Sequence, residues 1–564
     1  MQRVAQACGA VELEALRAQA AADPGAAWVL PQALALWRLE RPAELLVLLE
    51  EAPIDLHQDP QYWLLRGMAS RRIGDSAVAL AAYRQALALA PERCDLHYNL
   101  ANLQHSSNPA AAQHHYIRSL SLDPWQGPCW HNLGLLLHQQ DCPQQTLAAL
   151  RTSLLLNPTY PDAWCNLGLA YMALEAHAQA ERCFAQAIAL DPSQSASHTN
   201  MGTLLVARLQ PDQALAYLER GVELDRNSAH ALFNLGLCQL LLGRFDTGWA
   251  YYEARLRTHL VPPECVPTAG PRLTDLAQAP KLGEPPLVVW AEQGLGDAIQ
   301  FCRYLALLDA VGVAYVFQAP RPLVRLMGLW LQPGGAVEEL PSRTNAADSR
   351  RHCPLLSLPR LFGTEAATIP GVVPYFKPPE AAPAHLRVPE PPGGLAVGLV
   401  WAANPGNTAM YRHKSIPLAL LMPRLLDLVE LDLVDLHLLQ VGPDNAQLDP
   451  WRQHPRITDW APQLGDFADT AHVVQQLDLV IAVDTAVAHL AAALNRPTWV
   501  LLPCNADFRW QRERWDSPWY PGCLRLFRQP SQGDWHGVVA AVHQALDRLF
   551  LLDLEALAAA KLVR

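Results

Sequence analysis

Three stretches of this chain concentrate residues able to move a proton or hold an anion. The first is Gly294-Leu295-Gly296-Asp297, which follows a short apolar run and opens a helical pattern. Gly294 and Gly296 permit a tight turn and a close approach of backbone to a ligand, or they serve only the turn. Asp297 there would project its carboxylate into a cleft, or cap the helix behind it. The second stretch holds Arg412 and Lys414. Lys414, with Arg412 nearby, would offset negative charge on a leaving group; the alternative is a solvated loop lysine. The third is Asp484-Thr485 with His489 one turn later. A helix that starts at a strand end attracts phosphate. Thr485 can cap that helix and donate to phosphate. Asp484, beside an anion, suits hydroxyl groups instead. His489 either faces the ligand or packs into the core.

Alternating strands and helices must position these groups. Strands are expected over 287–292, 314–318, 395–401, 436–441, 479–483 and 498–502. Helices are expected over 298–311, 418–428, 467–477, 486–494 and 535–551. The proline-rich stretch 378–394 separates two βα sets. Two such sets predict two Rossmann-like domains facing one cleft, with ligands at the strand ends.

The first half of the chain has a different period. Gly67, Ala101, Gly134, Gly168, Gly202 and Gly236 recur at spacings of 34, 33, 34, 34 and 34. Pro91, Pro124, Pro158 and Pro192 keep the same phase. Large residues stand sixteen after most of the glycines, at Tyr83, Leu150, Phe184, Leu218 and Tyr252, and Trp63, Trp130 and Trp164 stand four before theirs. This is the signature of stacked helical hairpins. The small residue lets helix A approach helix B, the large one fills the gap between neighbouring repeats, and the proline stops helix B. A further series, Asn99, Asn132, Asn166, Asn200 and Asn234, lies two residues before each small residue. Amides offer a donor and an acceptor, so a row of them on the A helices would match the main chain of an extended peptide. Asparagine is also an ordinary residue at such positions.

The boundaries expected are a helical cap or degenerate repeat over 1–59, repeats over 60–258, a linker over 259–285, a first α/β half over 286–390 and a second half with a closing helix over 391–564. At 564 residues, 51% hydrophobic and 17% charged, the chain has globular composition. A net charge of -11, with no basic run, speaks against nucleic acid as a partner. The twelve cysteines are scattered and form no Cys-x-x-Cys pair, as expected of reduced thiols in a cytoplasm. No signal-peptide core or membrane-spanning run is read.

The repeats resemble the tetratricopeptide repeat. EQGLGDAIQFCRYLALL (292–308), VGLVWAANP (397–405), RHKSIPL (412–418) and LDLVIAVDTAVAHLAAALNRPTWVLLP (477–503) resemble glycosyltransferases attached to bacterial tetratricopeptide proteins. So do GRFDTGWAYYEAR (243–255) and FRWQRERWDSPWYPGCLRLFRQ (508–529). The module is also similar to lipopolysaccharide heptosyltransferases, and the overall plan to O-linked N-acetylglucosamine transferases. The resemblance implies a tetratricopeptide superhelix followed by a GT-B pair of Rossmann-type domains. It implies a sugar moved from a nucleotide-sugar donor to a hydroxyl of a protein held by the asparagine series. Asp297 is then the general base and Lys414 the counter-charge to a departing diphosphate. Gly294, Gly296, Arg412, Asp484, Thr485 and His489 would complete the donor site. Lys414 stands where related repeat proteins have Arg, which keeps charge without bidentate geometry. The chain has no Asp-x-Asp, the metal-holding pair of the other major glycosyltransferase architecture. A reaction with neither metal nor cofactor is therefore expected. The competing readings are a glycan or lipid-linked acceptor, and a scaffold whose module has lost turnover.

Overall fold

The computed structural model describes residues 2–22, 26–258, 261, 266, 270–281, 283–330, 335–341, 348–377, 382–389, 394–406 and 408–562. Much of the expected linker 259–285, and residues 378–381 and 390–393 of the proline-rich stretch, lie outside the described residues. The chain forms two compact units, residues 1–200 and 201–564.

The N-terminal unit is helical. After Gln2–Ala22, Val29–Arg38 and Pro42–Glu50 come the pairs Pro60–Arg72/Ser76–Leu89, Cys94–Gln104/Pro109–Leu122, Gly127–Gln139/Pro143–Leu156 and Pro161–Ala173/His177–Leu190. Asp59, Asp75 and Asn108 cap their helices with side-chain oxygens, and proline opens several others, where its missing N–H costs nothing. At Gly67, Gly134, Gly168 and Gly202 the large residue of the repeat, Tyr83, Leu150, Phe184 or Leu218, lies over the glycine. A Cβ on Gly134 would sit 2.8 Å from Leu150 Cγ. The large residue thus fills space within its own hairpin, at the point where helix A meets helix B.

The tryptophan series has a separate task. The Nε1 groups of Trp63, Trp130 and Trp164 donate to the carbonyls of His57, Pro124 and Pro158, each six residues upstream, at 2.8, 2.9 and 2.8 Å. At the same repeat position His97 Nε2 lies 3.1 Å from the carbonyl of Pro91. A ring nitrogen at this position therefore ties down the turn that enters each of these four repeats.

In the C-terminal unit the last helices, Pro211–Leu224, Ala229–Leu241 and Phe245–Tyr252, lead into two parallel sheets. The first contains β1 (Leu287–Trp290), β2 (Tyr315–Ala319), β3 (Ala336–Glu339) and β4 (His352–Pro354), in the order β3-β2-β1-β4. The second contains β5 (Leu395–Val400), β6 (Val434–Leu438), β7 (Ile457–Asp459), β8 (Leu479–Val483), β9 (Thr498–Leu502) and β10 (Leu524–Arg528), in the order β10-β9-β8-β5-β6-β7. That is the doubly wound Rossmann order. The fold is therefore tetratricopeptide helices followed by an α/β region of GT-B-like arrangement. One apolar core joins Phe245, Trp249 and Tyr252 to both sheets.

The expected helix 298–311 is broken. Leu295–Phe301 and Leu305–Ala310 flank a 3-10 turn at Cys302–Tyr304. The turn aims Arg303 at the carbonyls of Pro370 and Trp519 and at the hydroxyl of Tyr375. A buried guanidinium needs those acceptors, and the helix yields to supply them. Strands β3, β4 and β7 have only three or four residues, too few for a period to register. Among the described residues no helix is long and apolar enough to cross a membrane.

Candidate active site

Chain reversal sets the location. In the first sheet β1 has β2 on one side and β4 on the other; in the second, β5 and β8 are neighbours that wind in opposite directions. Ligands bind beyond the C-terminal ends of strands at such switch points. The turn Gly294–Asp297 follows β1, the segment bearing Lys414 follows β5, and Asp484-Thr485 follows β8. The helices Leu295–Phe301 and Ala486–Ala493 pack against each other. A Cβ on Gly296 would lie 3.0 Å from His489 Cδ2 and 3.6 Å from Ala486 Cα. The second glycine is thus required by close approach of the two halves.

The charged groups meet there. Lys414 Nζ donates to Asp484 Oδ2 at 2.6 Å. His489 Nε2 lies 3.8 Å from Asp484 Oδ1, and His489 Nδ1 lies 2.9 Å from the Tyr520 hydroxyl. The imidazole stacks on Trp510 with ring centroids 5.2 Å apart. Asp297 Oδ2 accepts the Gly294 N–H at 3.0 Å, and Asp297 Oδ1 pairs with Arg509. Arg509 Nη1 also pairs with Asp507 at 2.7 Å.

Burial and partners set the protonation states. Burial opposes the charge of Asp484, and Lys414, His489 and Arg509 together overcome it, so its carboxyl falls below the usual range. Burial also opposes the charge on Lys414, but Asp484 raises the ammonium above its ordinary value. His489 is pushed down to about 3 by burial, against the pull of Asp484, and stays neutral. Burial, aided by Asp507, raises the Asp297 carboxyl despite the neighbouring Arg509. A carboxylate raised in this way is a better base than an exposed one.

Of the sequence-predicted residues, Gly294, Gly296, Asp297, Lys414, Asp484, Thr485 and His489 come together. Asp297 does cap its helix, as the N3 carboxylate reaching back to Gly294 N–H, while its other oxygen faces Arg509. His489 is 5% exposed, so it is at once a packed residue and a neighbour of the charged pair. Arg412 is exposed and makes no ion pair among the described residues. Sequence reasoning missed Arg509, Asp507, Trp510 and Tyr520, all beyond β9. Their signal was the aromatic and basic density of 508–520. Phe508 is held by Trp249 and Tyr252, with centroids 5.6 and 5.8 Å away, and Tyr252 Oη donates to Gln293 Oε1 at 3.2 Å. Polar atoms near these loops are buried without a partner, among them Thr485 Oγ1, Asn505 Oδ1, Arg509 Nε and Trp510 Nε1. Such atoms are expected where a polar ligand supplies the missing bonds.

The asparagine series divides. Asn99 and Asn234 each spend an amide N–H on the carbonyl four residues back in their own helix, at 2.8 Å. Asn132 donates to Asn102 Oδ1 at 2.7 Å and to the Tyr98 hydroxyl at 3.2 Å. Asn200 is buried with its amide on Cys165, and Asn166 is half-buried. Asn99 and Asn132, with Arg71, Tyr98, Asn102 and His105, line a recess of about 550 Å³.

Comparison with known proteins agrees with both regions. Residues 60–93, 161–194 and 199–258 match the tetratricopeptide repeat. Residues 445–501, which include Asp484, Thr485 and His489, match glycosyltransferase family 9 (heptosyltransferase). Protein FlbA of Caulobacter vibrioides is 28% identical over 330 residues, 54% of this chain and 53% of FlbA, so the chain spans about half the length of that relative. Among solved structures, MamA is 24% identical over 29% of this chain and 96% of its own, with a TM-score of 0.27. PilF of Pseudomonas aeruginosa is 22% identical over 36% and 93%, with a TM-score of 0.32. The chain therefore joins several tetratricopeptide repeats to a C-terminal region similar to glycosyltransferase family 9 (heptosyltransferase).

Proposed function

We propose that this protein is a metal-independent GT-B-type glycosyltransferase that moves a sugar from a nucleotide-sugar donor to a hydroxyl of a protein held by the repeats. One observation carries the reading. Asp297, Lys414 and Asp484 follow three different strands of two sheets and still form one partly buried, charged cluster at both switch points. In the proposed reaction Asp297 takes the proton of the acceptor hydroxyl as its oxygen attacks the anomeric carbon. The bond from that carbon to the diphosphate breaks, and its electron pair leaves with the diphosphate. Lys414 and the N–H groups at the start of Ala486–Ala493 meet the charge that develops. Asp484, already paired, orients Lys414 and accepts from sugar hydroxyls. No cofactor enters these steps. Among the described residues no disulfide joins the ten cysteines whose side chains are described, which fits a cytoplasmic setting.

The test is a thermal-shift screen of nucleotide sugars on the full chain, followed by assay of nucleoside diphosphate release. A donor at a hundred times its Kd should stabilise the fold by about 2.7 kcal/mol. If no nucleotide sugar raises the melting temperature, the donor-site reading fails.

The bonds of the asparagines favour a second reading. With Asn200 buried and the amides of Asn99 and Asn234 already engaged, a glycan or lipid-linked acceptor would enter the α/β region alone. The triple variant Asn99→Ala/Asn132→Ala/Asn166→Ala separates the two. Each amide contributes about 0.5–1.5 kcal/mol net. A peptide ladder therefore predicts protein-acceptor binding weaker by roughly 1.5–4.5 kcal/mol if the terms add, with donor hydrolysis unchanged. A folded triple variant that transfers to protein at the wild-type rate supports the second reading.

A further inference from the structure

Arg509 belongs to none of the roles above, yet it lies at their centre. It is 8% exposed and follows β9 in the loop that Trp249 and Tyr252 brace through Phe508. Its Nη2 holds the oxygen of Asp297 that the helix cap leaves over, and its Nη1 holds Asp507. Its Nε is buried and unpartnered, as are Thr485 Oγ1 and Asn505 Oδ1. Its charge is felt at Lys414, Asp484 and His489. The site thus holds two cations, Lys414 and Arg509, each occupied by a carboxylate. A diphosphate entering at the start of Ala486–Ala493 must compete for both.

We propose that Arg509 is a second diphosphate-binding residue, parked on Asp297 while the donor site is empty and transferred to the donor when it binds. This rests on the donor-site reading above and adds an order of events. A carboxylate held by a guanidinium is a poor base. Arg509 has a fork geometry suited to phosphate oxygens, which Lys414 lacks. When the diphosphate takes the Arg509 fork, one ion pair replaces another, and Asp297 is released with both a free oxygen and a higher proton affinity. Asp507 keeps Arg509 within the loop during the exchange. The base is therefore armed only when a donor is present, and the empty site does not hold a free carboxylate beside its catalytic cation.

The test is calorimetric titration of the full chain with ADP, UDP, GDP and CDP. It uses wild type, Lys414→Ala, Arg509→Gln, Arg509→Lys, Asp297→Asn and the double variant Arg509→Gln/Asp297→Asn. For whichever diphosphate binds the wild type, Arg509→Gln should weaken binding about 10–100-fold, on the scale of a lost charge-assisted bond. Arg509→Lys should recover part of that loss. The distinguishing result is the opposite sign at Asp297: Asp297→Asn should tighten binding several-fold, because Arg509 is no longer held. In the Arg509→Gln background the same change should do nothing. Equal tightening in both backgrounds would mean plain charge repulsion by Asp297 and would overturn the proposal. So would unchanged affinity in Asp297→Asn, which keeps the Arg509 fork intact and so remains informative if Arg509→Gln does not fold. Loss of affinity in Lys414→Ala with none in Arg509→Gln keeps the donor site and removes Arg509 from it. Absence of binding to the wild type rejects the donor site itself, and this inference with it.

Discussion

At the scale of single residues, two functions meet on Asp297. One carboxylate oxygen caps a helix and the other faces the charged cluster. Asp297→Asn keeps an oxygen for the cap and removes the base. We expect transfer to fall at least ~100-fold, the usual scale for a lost general base, with the fold retained. A rate near wild type would leave the carboxylate as a cap only. The protonation argument adds a sign. The base acts ionised, and burial holds its carboxyl above the usual range. The acid limb of the rate profile should therefore lie above the ordinary carboxylate value, with the rate falling as pH falls through it. Asp297→Asn should abolish that limb.

At the scale of elements, the last repeat is built into the α/β region. Arg255, fully buried, donates to Glu292 Oε1 from Nη2 at 2.7 Å and from Nε at 3.2 Å, and to the Ser357 hydroxyl at 2.9 Å. Glu292 also accepts the Leu356 N–H at 3.1 Å. It lies two residues before the Gly294 turn, and Tyr252 holds Gln293 between them. Arg255→Met would leave Glu292 buried and uncompensated, which costs about 3–5 kcal/mol. We expect an earlier thermal transition and lost nucleoside diphosphate binding, since the turn bearing Asp297 loses its anchor. Arg255→Met/Glu292→Gln should recover part of the stability, because no bare charge is then buried. If the single variant melts with the wild type, the pair is not what secures this junction. The same packing makes 259 a poor place to cut the chain, although it is where the repeat period ends.

At the scale of the C-terminal unit, each sheet buries a histidine against a tryptophan. Trp290 Nε1 donates to His352 Nδ1 at 3.3 Å, and Trp460 Nε1 donates to His437 Nδ1 at 3.1 Å. An imidazole that accepts such a bond must be neutral at that nitrogen. Burial pushes both groups down to about 4, and His489 to about 3. Unfolded, all three titrate near 6.5. The unfolded chain therefore binds more protons between these values. Stability is fully present above about pH 6.5 and is lost as pH falls toward 4, by up to about 1.4 kcal/mol per pH unit for each group. Thermal melts at pH 7.5, 6 and 5 should show this loss. His352→Gln/His437→Gln, whose amides can still accept the indole N–H, should flatten the slope. An unchanged slope would place the acid sensitivity elsewhere.

Much of this was written in the sequence, and the reason is local. A repeat period survives because most hairpins solve the same packing problem in the same way, with a small residue under a large one and a ring nitrogen on the entering turn. The strands β5, β8 and β9 were legible because they are apolar on both faces, and Gly294–Asp297, Lys414 and Asp484-Thr485 because the ends of such strands are where a parallel sheet binds ligands. The short strands β3, β4 and β7 gave no such signal, since a period needs more residues than they have. Tertiary structure alone decided how the groups pair. Lys414 and Asp484 are 70 residues apart, and Asp297 and Arg509 are 212 apart. No local pattern records which cation a carboxylate will meet. It decided too that helix 298–311 breaks so that Arg303 can reach its acceptors, and that the amides of Asn99, Asn132, Asn200 and Asn234 bond to their own helices and neighbours. Spacing fixes which face of a helix a residue occupies; only the packed neighbours determine whether its hydrogen bonds are already spent.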